Sequence, residues 1–354
     1  MSLATAFCAG ISGGGFSSIP VLALTFLSMA AFRRWAYYPL LEQNRFHPVP
    51  CLDKFSLAGR CWGKEPAAGG GYYWVYGKQD LFDIKIHDFY FREDQCIDMA
   101  IPECINIQRY DAIPGEELDP YWRLPAEDIQ TMGCGKPRYR ALIHKRIPIR
   151  AVGIEILPAY YEDFLRRRYP DIYFDLPAAF QNVDQATDFP AISKLLREVA
   201  NYRGTGEATD LFYEAKVTGA IALVVDAWKR QSQSQSQARP LSAEDVESLQ
   251  NVVSDIADHY AFDIPLERLA NIACMSASKL KSCFKRQFGC SVTQYIQGRR
   301  MSQAEHLLID TDFTMGQIAQ MIGYTTSSWF AELFKKSTGI LPIEYRRIAR
   351  KDRV

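Results

Sequence analysis

The C-terminal part of this chain contains the same arrangement twice, and no other feature restricts the fold as tightly. The first copy runs Pro265-Leu-Glu-Arg-Leu-Ala-Asn-Ile-Ala, breaks, and resumes as Ser276-Ala-Ser-Lys-Leu-Lys-Ser-Cys-Phe-Lys-Arg-Gln-Phe-Gly289. The second runs Thr314-Met-Gly-Gln-Ile-Ala-Gln-Met-Ile-Gly-Tyr324, then Thr325-Thr-Ser-Ser-Trp-Phe-Ala-Glu-Leu-Phe-Lys-Lys-Ser-Thr-Gly339. A short first helix places Leu266, Leu269, Ala270 and Ala273, or Met315, Ile318, Ala319 and Ile322, at helical spacing. A second helix answers with Leu280, Phe284 and Phe288, or with Phe330 and Phe334, so each pair closes a small core and turns the far face of its second helix outward. Ser276 and Thr325 fit as N-caps, and Gly289 and Gly339 as left-handed stops.

Between the copies, Ser291 to Ile309 carries Val292, Ile296, Ala304, Leu307 and Leu308 on one side and reads as a connecting helix. About 19 residues at roughly 1.5 Å each span about 28 Å. That is near the roughly 34 Å between successive major grooves on one face of B-DNA, so one polypeptide can present two helices to adjacent grooves. A last short helix begins near Pro342, where a missing N–H costs nothing. The net charge of zero conceals an asymmetry: residues 276 to 354 hold 13 Lys and Arg against six Asp and Glu. A basic segment coincident with two outward helices is the electrostatic footprint of phosphate binding.

Residues 245 to 349 resemble the DNA-binding domain of the AraC/XylS family of bacterial transcription regulators. The resemblance rests on Leu269-Ala270, Leu280 and Phe284, Arg300-Met301, Ala304, Leu307-Leu308, Ile318-Ala319, Gly323-Tyr324, Phe330, Phe334-Lys335-Lys336, Gly339, Pro342 and Tyr345-Arg346. Leu341 departs from it, standing where a small hydroxyl or alanine is usual. By that register the outward positions of the first reading helix are Ser278, Lys281 and Ser282, with Lys279, Lys285 and Arg286 near phosphates. Lys281 is the candidate for a guanine O6/N7 contact. The second helix offers Ser327, Ser328, Ala331 and Glu332, plus Lys335 and Lys336. Glu332 either accepts from a cytosine N4, with Ala331 against a thymine methyl, or only pairs with Lys335 or Lys336 on the helix surface.

Upstream, residues 72 to 156 alternate in strand fashion. Phe82, Ile84 and Ile86 share one face against Asp83, Lys85 and His87; Ile105 and Ile107 face away from Asn106 and Gln108; Val152, Ile154 and Ile156 follow Ile147 and Ile149. Gly and Pro punctuate the runs, with Gly69 to Gly71 expected as a turn. An antiparallel β-barrel or sandwich fits, and the resemblance implies a cupin-like barrel that binds a small-molecule effector. The candidate lining residues are Tyr73, Trp74, Tyr76, Arg109, Trp122 and Arg140. After Phe189 the period turns helical, with a stripe of Ile192, Leu195, Leu196 and Val199 and a longer one from Tyr213 to Trp228. Val217, Ile221, Val224 and Trp228 are the candidate dimer contact, since helices at this place commonly serve that purpose in the family; packing on the barrel is the other reading, and the stripe is broad enough to serve both. The polar run Gln231 to Pro240 reads as a flexible linker with a reach of roughly 17 Å.

Enzyme chemistry finds little support. The five histidines, His47, His87, His144, His259 and His306, form no His-x-His pair of the kind a metal-binding cupin needs, and no Gly-x-Ser-x-Gly elbow or phosphate loop is present. Nine cysteines without a Cys-x-x-Cys pair point to reduced thiols, with Cys96 and Cys104 the pair open to a redox role. No catalytic residue, metal or cofactor is expected. The first 32 residues lack charge, but the run Ser18 to Phe32 is followed rather than preceded by arginines, unlike a secretory signal, and is shortened by Pro20 below a spanning length, so residues 1–28 read as a non-functional or disordered extension, with a membrane anchor as the other reading.

The expected architecture is α+β: an extension over 1–28, an antiparallel, cupin-like β-barrel over 29–185, a helical dimerisation segment over 186–230, a linker over 231–240, and an all-α domain of two helix-turn-helix units joined by a long helix over 241–354. The expected partners are promoter DNA, a small-molecule effector and a second copy of the chain, with RNA polymerase implied by the resemblance and the cytoplasm as location. A competing reading makes the N-terminal half a protein-interaction and dimerisation module without an effector.

Overall fold

The structure, a computed structural model, describes residues 38–78, 80–100, 104–118, 121–123, 126, 129–133, 138–169, 175–183, 189–235 and 241–350. The extension proposed for 1–28 lies outside the described residues. A short helix α1 (Tyr38–Gln43) precedes the strands β1 (Phe46–Val49), β2 (Arg60–Lys64), β3 (Gly69–Lys78), β4 (Phe82–Phe91), β5 (Gln95–Ala100), β6 (Ile105–Ala112), β7 (Gly115–Leu118), β8 (Tyr121–Arg123), β9 (Ile129–Gly133), β10 (Arg138–Ile143) and β11 (Ile149–Ile156). They form two antiparallel sheets, a large one in the order β1-β2-β3-β4-β11-β6-β9 and a small one in the order β5-β10-β7-β8. The architecture is α+β, as expected. Gly69 to Gly71 open β3 instead of forming a turn, because at Gly71 (φ +97°) any Cβ would lie 2.3 Å from the Asp88 carbonyl oxygen.

Both faces of the large sheet are covered. One face carries Trp74, Tyr76, Phe82, Ile84, Ile105, Ile107, Val152, Ile154 and Ile156, all buried. It packs under helices α3 (Leu176–Val183), α4 (Pro190–Asn201) and α5 (Glu207–Gln235), which supply Ile192, Leu195, Leu196, Val199, Tyr213, Val217, Ile221 and Val224. A π-helical stretch, Ala159–Phe164, runs into α2 (Leu165–Arg168) and adds Tyr160. This corrects the dimer assignment: Val217 and Val224 are fully buried, Ile221 is 4% exposed, and Trp228 packs partly buried on the same cluster. Each such side chain contributes about 1.5–3 kcal/mol by burial, and one helix stripe cannot fill a core and a dimer face together.

Helix α5 also continues through Gln231–Gln235, so half of the expected linker is helical. Gln is a good helix former, and extending an existing helix costs far less than nucleating one. Residues 236–240 lie outside the described residues.

The C-terminal helices are α6 (Ala243–His259), α7 (Leu266–Ile272), α8 (Ala277–Phe288), α9 (Val292–Asp310), α10 (Met315–Met321), α11 (Ser327–Thr338) and α12 (Pro342–Ala349). Ser276 caps α8, accepting from the Lys279 amide, and Ser291 and Thr314 close capping boxes with Gln294 and Gln317. The cap of α11 is Thr326, not Thr325, because the Thr326 hydroxyl is the one that reaches the N3 amide, of Trp329, at 3.3 Å. Gly289 and Gly339 end α8 and α11 at φ +72° and +84° as expected. Leu341 supplies no side-chain cap, and Glu344 compensates by accepting from the Leu341 amide at 3.3 Å.

Each unit has its own core. The first gathers Leu269, Leu280, Phe284, Phe288, Val292 and Tyr295 under Leu249, Val252 and Ile256 of α6. The second gathers Met301, Ala304, Leu308, Ile318, Ile322, Phe330, Phe334 and Tyr345, and takes in Ile147 from the turn between β10 and β11. A barrel residue inside the second core departs from the picture of two loosely tethered halves: residues 44–354 group as one unit.

Candidate nucleic-acid interface and barrel interior

The reading helices α8 and α11 turn their polar faces to solvent. Ser278, Lys281, Ser282, Lys285 and Arg286 are exposed on α8, and Ser327, Ser328, Glu332, Lys335 and Lys336 on α11, while Ala331 is half-buried. Lys279 differs from its neighbours: its ammonium lies 2.7 Å from Asp245 Oδ1, which raises the lysine above its ordinary pKa. Among the described residues no ion pair ties Glu332 to Lys335 or Lys336.

Two residues that carry weight here were not singled out for it by sequence. Trp329 is 51% exposed beside Ser328, because in the Trp329-Phe330 pair only one ring can enter the core and Phe330 is fully buried. Arg300 of α9 bolts the two units together, donating to the carbonyls of Tyr260 at 2.7 Å, Phe262 at 2.9 Å and Gly323 at 3.2 Å, with its guanidinium 5.1 Å from the Tyr324 ring. It touches both units and so ties α9 to each of them. The Arg300-Met301 pair was legible as a family position but not as a clamp, since its partners are scattered through 260–323.

The second site is the interior between the two sheets. The strand alternation was read correctly, but the polar side does not face water. Register across the large sheet brings Asp83, Glu155 and Asn106 into one row, Val75, Lys85, Gly153, Gln108 and Gln130 into the next, and Trp62, Tyr73, His87, Ala151 and Tyr110 into a third. Asp83, Lys85, Asn106, Gln108, Gln130 and Glu155 are all buried. Lys85 pairs with Glu155, and Gln108 Nε2 donates to the Tyr110 hydroxyl at 2.6 Å. Tyr139 and Glu117 of the small sheet close the interior from the other side: burial, then the nearby Tyr110 and Glu117, push the Tyr139 phenol well up. Burial and the Lys85 charge hold His87 down to about 3, so it is a neutral imidazole stacked on Tyr73 at 4.5 Å. The side-chain Oδ1 of Asn106 is buried without a hydrogen-bond partner.

The expected effector residues do not converge. Tyr73 faces this interior. Trp74 and Tyr76 lie on the opposite, helix-covered face, where the Trp74 indole donates to the Ser56 carbonyl at 2.9 Å and Tyr76 packs on Tyr213. Arg109 shares their face and pairs with Asp111. Arg140 sits on the outer side of the small sheet, 3.8 Å from Asp98. The side chain of Trp122 lies outside the described residues. Large rings also build cores, so the aromatic residues are divided between the two faces. The polar interior itself is marked by the run Asp83, Lys85, His87 within a strand bounded by apolar neighbours. Cys96 is exposed on β5 and Cys104 is buried near Lys85, both as free thiols. Among the described residues no group of three or more His, Cys, Asp or Glu is placed to hold a metal ion, and no helix is long and apolar enough to cross a membrane.

Residues 269–348 match the family described as a helix-turn-helix domain. The chain is 29% identical over 191 residues to the arabinose operon regulatory protein of Escherichia coli (strain K12), a match covering 53% of this chain and 60% of that protein. Over 93 residues it is 30% identical to the xylose operon regulatory protein of the same strain, covering 26% of this chain and 24% of that one. Among solved structures it is similar to the C-terminal domain of AraT, a response regulator from Geobacillus stearothermophilus, at 31% identity over 31% of this chain and 88% of that one, with a TM-score of 0.27. The match thus spans about 60% of the length of the arabinose operon regulator.

Proposed function

Since residues 269–348 form a helix-turn-helix domain of the AraC type, we propose that the protein is a promoter-binding transcription regulator whose N-terminal barrel senses a small molecule. The observation that carries the DNA reading is the pair of outward helices on one connector, each with a basic side chain where a phosphate would pass. In this reading Ser278, Lys281 and Ser282 meet bases from α8, Ser327, Ser328, Ala331 and Glu332 meet them from α11, and Lys285, Arg286, Lys335 and Lys336 meet phosphates. Lys279 must exchange Asp245 for phosphate if it takes part. Gel shifts of the full chain across salt test this. With Z of about five phosphates neutralised, the slope of log affinity against log salt should be about −4 to −5. Lys281→Ala should relax preference at one base, whereas Lys336→Ala should weaken all sequences alike. A flat salt response would overturn the reading.

The effector reading is supported by the buried polar interior, since a barrel needing only a core would fill it with apolar side chains. We place the effector among Lys85, Glu155, Asn106, Gln108, Tyr110 and Tyr73. Three carboxylates, Asp83, Glu117 and Glu155, outnumber the one lysine, so a neutral or cationic molecule rich in hydrogen-bond donors suits this interior. The names of the arabinose and xylose operon regulators make pentoses the first panel for a thermal-shift screen, with polyols and amines following. A shift that Asn106→Leu abolishes supports the site; no shift across the panel favours the effector-free interaction module. Homodimerisation, contact with RNA polymerase and a cytoplasmic location belong to the same proposal, with the dimer contact on a surface other than the buried stripe of α5.

A further inference from the structure

The small sheet has two working faces. Glu117 of β7 points inward, beside Tyr110 and Tyr139. The preceding residue, Glu116, points outward together with Arg123, its direct cross-strand partner on β8. This outer face is a seat for the second DNA-reading unit. The Arg123 guanidinium, 2% exposed, donates to Glu305 Oε1 of α9 at 2.9 Å and to the carbonyls of Gly115 at 2.9 Å and Ile113 at 3.3 Å. Ser302 of α9 donates to Glu116, and His306 Nε2 lies 3.9 Å from the other Glu116 oxygen. The Ala126 amide donates to the Ser337 carbonyl at the end of α11 at 2.8 Å. Gly339 lies so close to Asp111 and Ala112 that a Cβ would stand 2.1 Å from the Asp111 carbonyl oxygen. Ile147 completes the second unit's core, whereas among the described residues the first unit's core takes no barrel residue.

We propose that Arg123 and Glu116 are positioning residues for DNA recognition: they fasten α9 and the second unit to the barrel, so that the barrel sets the angle at which α11 meets its groove. The first unit joins the rest through residues 236–240, the Arg300 clamp of α9 and the close approach of Gly323 to the Ala261 carbonyl oxygen. The seat leaves the outward faces of α8 and α11 exposed, so it is a bracket and not a plug. A buried guanidinium and carboxylate 2.9 Å apart give the seat one geometry, because a shifted α9 would leave both charges buried without a partner. The inference rests on the DNA-binding reading.

The test uses the full chain and double-stranded DNA that the wild type selects from a random library. Hydroxyl-radical footprinting of the wild type should give two protected segments, the one weakened by Lys281→Ala marking the first unit. Arg123→Glu should erase protection over the second segment while the first persists, and lower affinity at least tenfold. Arg123→Lys, which keeps a cationic donor against Glu305 and the Gly115 and Ile113 carbonyls, should retain the second segment, which separates loss of the contact from mere loss of the wild-type side chain. Should Arg123→Glu fail to fold, Ser302→Asp sets a carboxylate against Glu116 from the helix side, where an unseated α9 would simply be solvated, and the same loss of the second segment is expected. A folded Arg123→Glu or Ser302→Asp protein with both segments intact, or with both lost alike, overturns the proposal. A wild type that selects no DNA would overturn the regulator reading and this inference with it.

Discussion

Replacing Lys85 by Met should expose how the barrel interior tolerates charge. Lys85 and Glu155 are 4% and 1% exposed and paired, so Lys85→Met leaves a carboxylate buried without its cation. Removing one partner of such a pair typically costs about 3–5 kcal/mol. The upper limit follows from the alternative open to Glu155, which is to take up a proton. From an ordinary pKa of about 4.3 to pH 7 that costs roughly 3.7 kcal/mol at about 1.36 kcal/mol per unit. The expected loss at pH 7 is therefore about 3–4 kcal/mol, read by urea unfolding of the full chain. The variant's Glu155 has a raised folded-state pKa, so its contribution is fully present below about pH 4.3 and lost as pH rises through the folded value. The penalty should thus shrink almost to nothing near pH 4. Adding Glu155→Leu should bring stability at pH 7 back to within about 1 kcal/mol of wild type. A loss under about 1 kcal/mol, or one that does not change with pH, would refute the argument that these charges are desolvated.

Three further outcomes are expected. Gly339→Ala should cost more than about 2 kcal/mol, since a left-handed conformation adds about 1 kcal/mol and the clash is with backbone on the far side of the seat, whereas Gly206→Ala, at φ +64° with nothing within 4 Å, should cost only about 1 kcal/mol; equal melting shifts would contradict the seat. Burial raises Glu305 from 4.5 to about 7, and the Glu116 carboxylate raises His306 above 6.5, so both contribute stability that is full below those unfolded values and is lost as pH climbs through the folded ones. His144, 5.0 Å from the His306 ring and held down to about 4 by burial, opposes them only between about 4 and 6.5; the melting temperature should therefore fall from pH 6.5 to about 8, less so in His306→Gln, and a rise would count against the seat. Val217→Asp should unfold the barrel outright, as circular dichroism can show, and a folded monomer released from a dimer would restore the stripe as an interface.

The elements legible in sequence are those fixed by local rules. Apolar spacing and caps placed α7 through α12, and the one misplaced cap, Thr325 for Thr326, arose because adjacent threonines are equivalent until the backbone decides which hydroxyl reaches an amide. Alternation located β4, β6 and β11, but it cannot say what covers the polar face; a two-sheet barrel with helices on one side buries both. The same limit hid from sequence that Trp74 and Tyr76 lie on the helix-covered face. The seat was invisible for a different reason. Arg123 and Glu305 stand 182 residues apart, and neither belongs to a pattern that marks a partner. Ile147 likewise read as one more strand residue, because nothing in its neighbourhood reports the core it enters.

The most direct measurement is to let the full-length protein select its own sites from a random double-stranded DNA library and to sequence what it retains. Two helices on one connector seated on the barrel should enrich a bipartite site whose halves lie about 10 base pairs apart, centre to centre, on one face of the duplex. Lys281→Ala should degrade one half and leave the other intact. Enrichment of a single undivided site, a spacing that varies freely between the halves, or no enrichment at all would contradict a protein that reads two adjacent grooves.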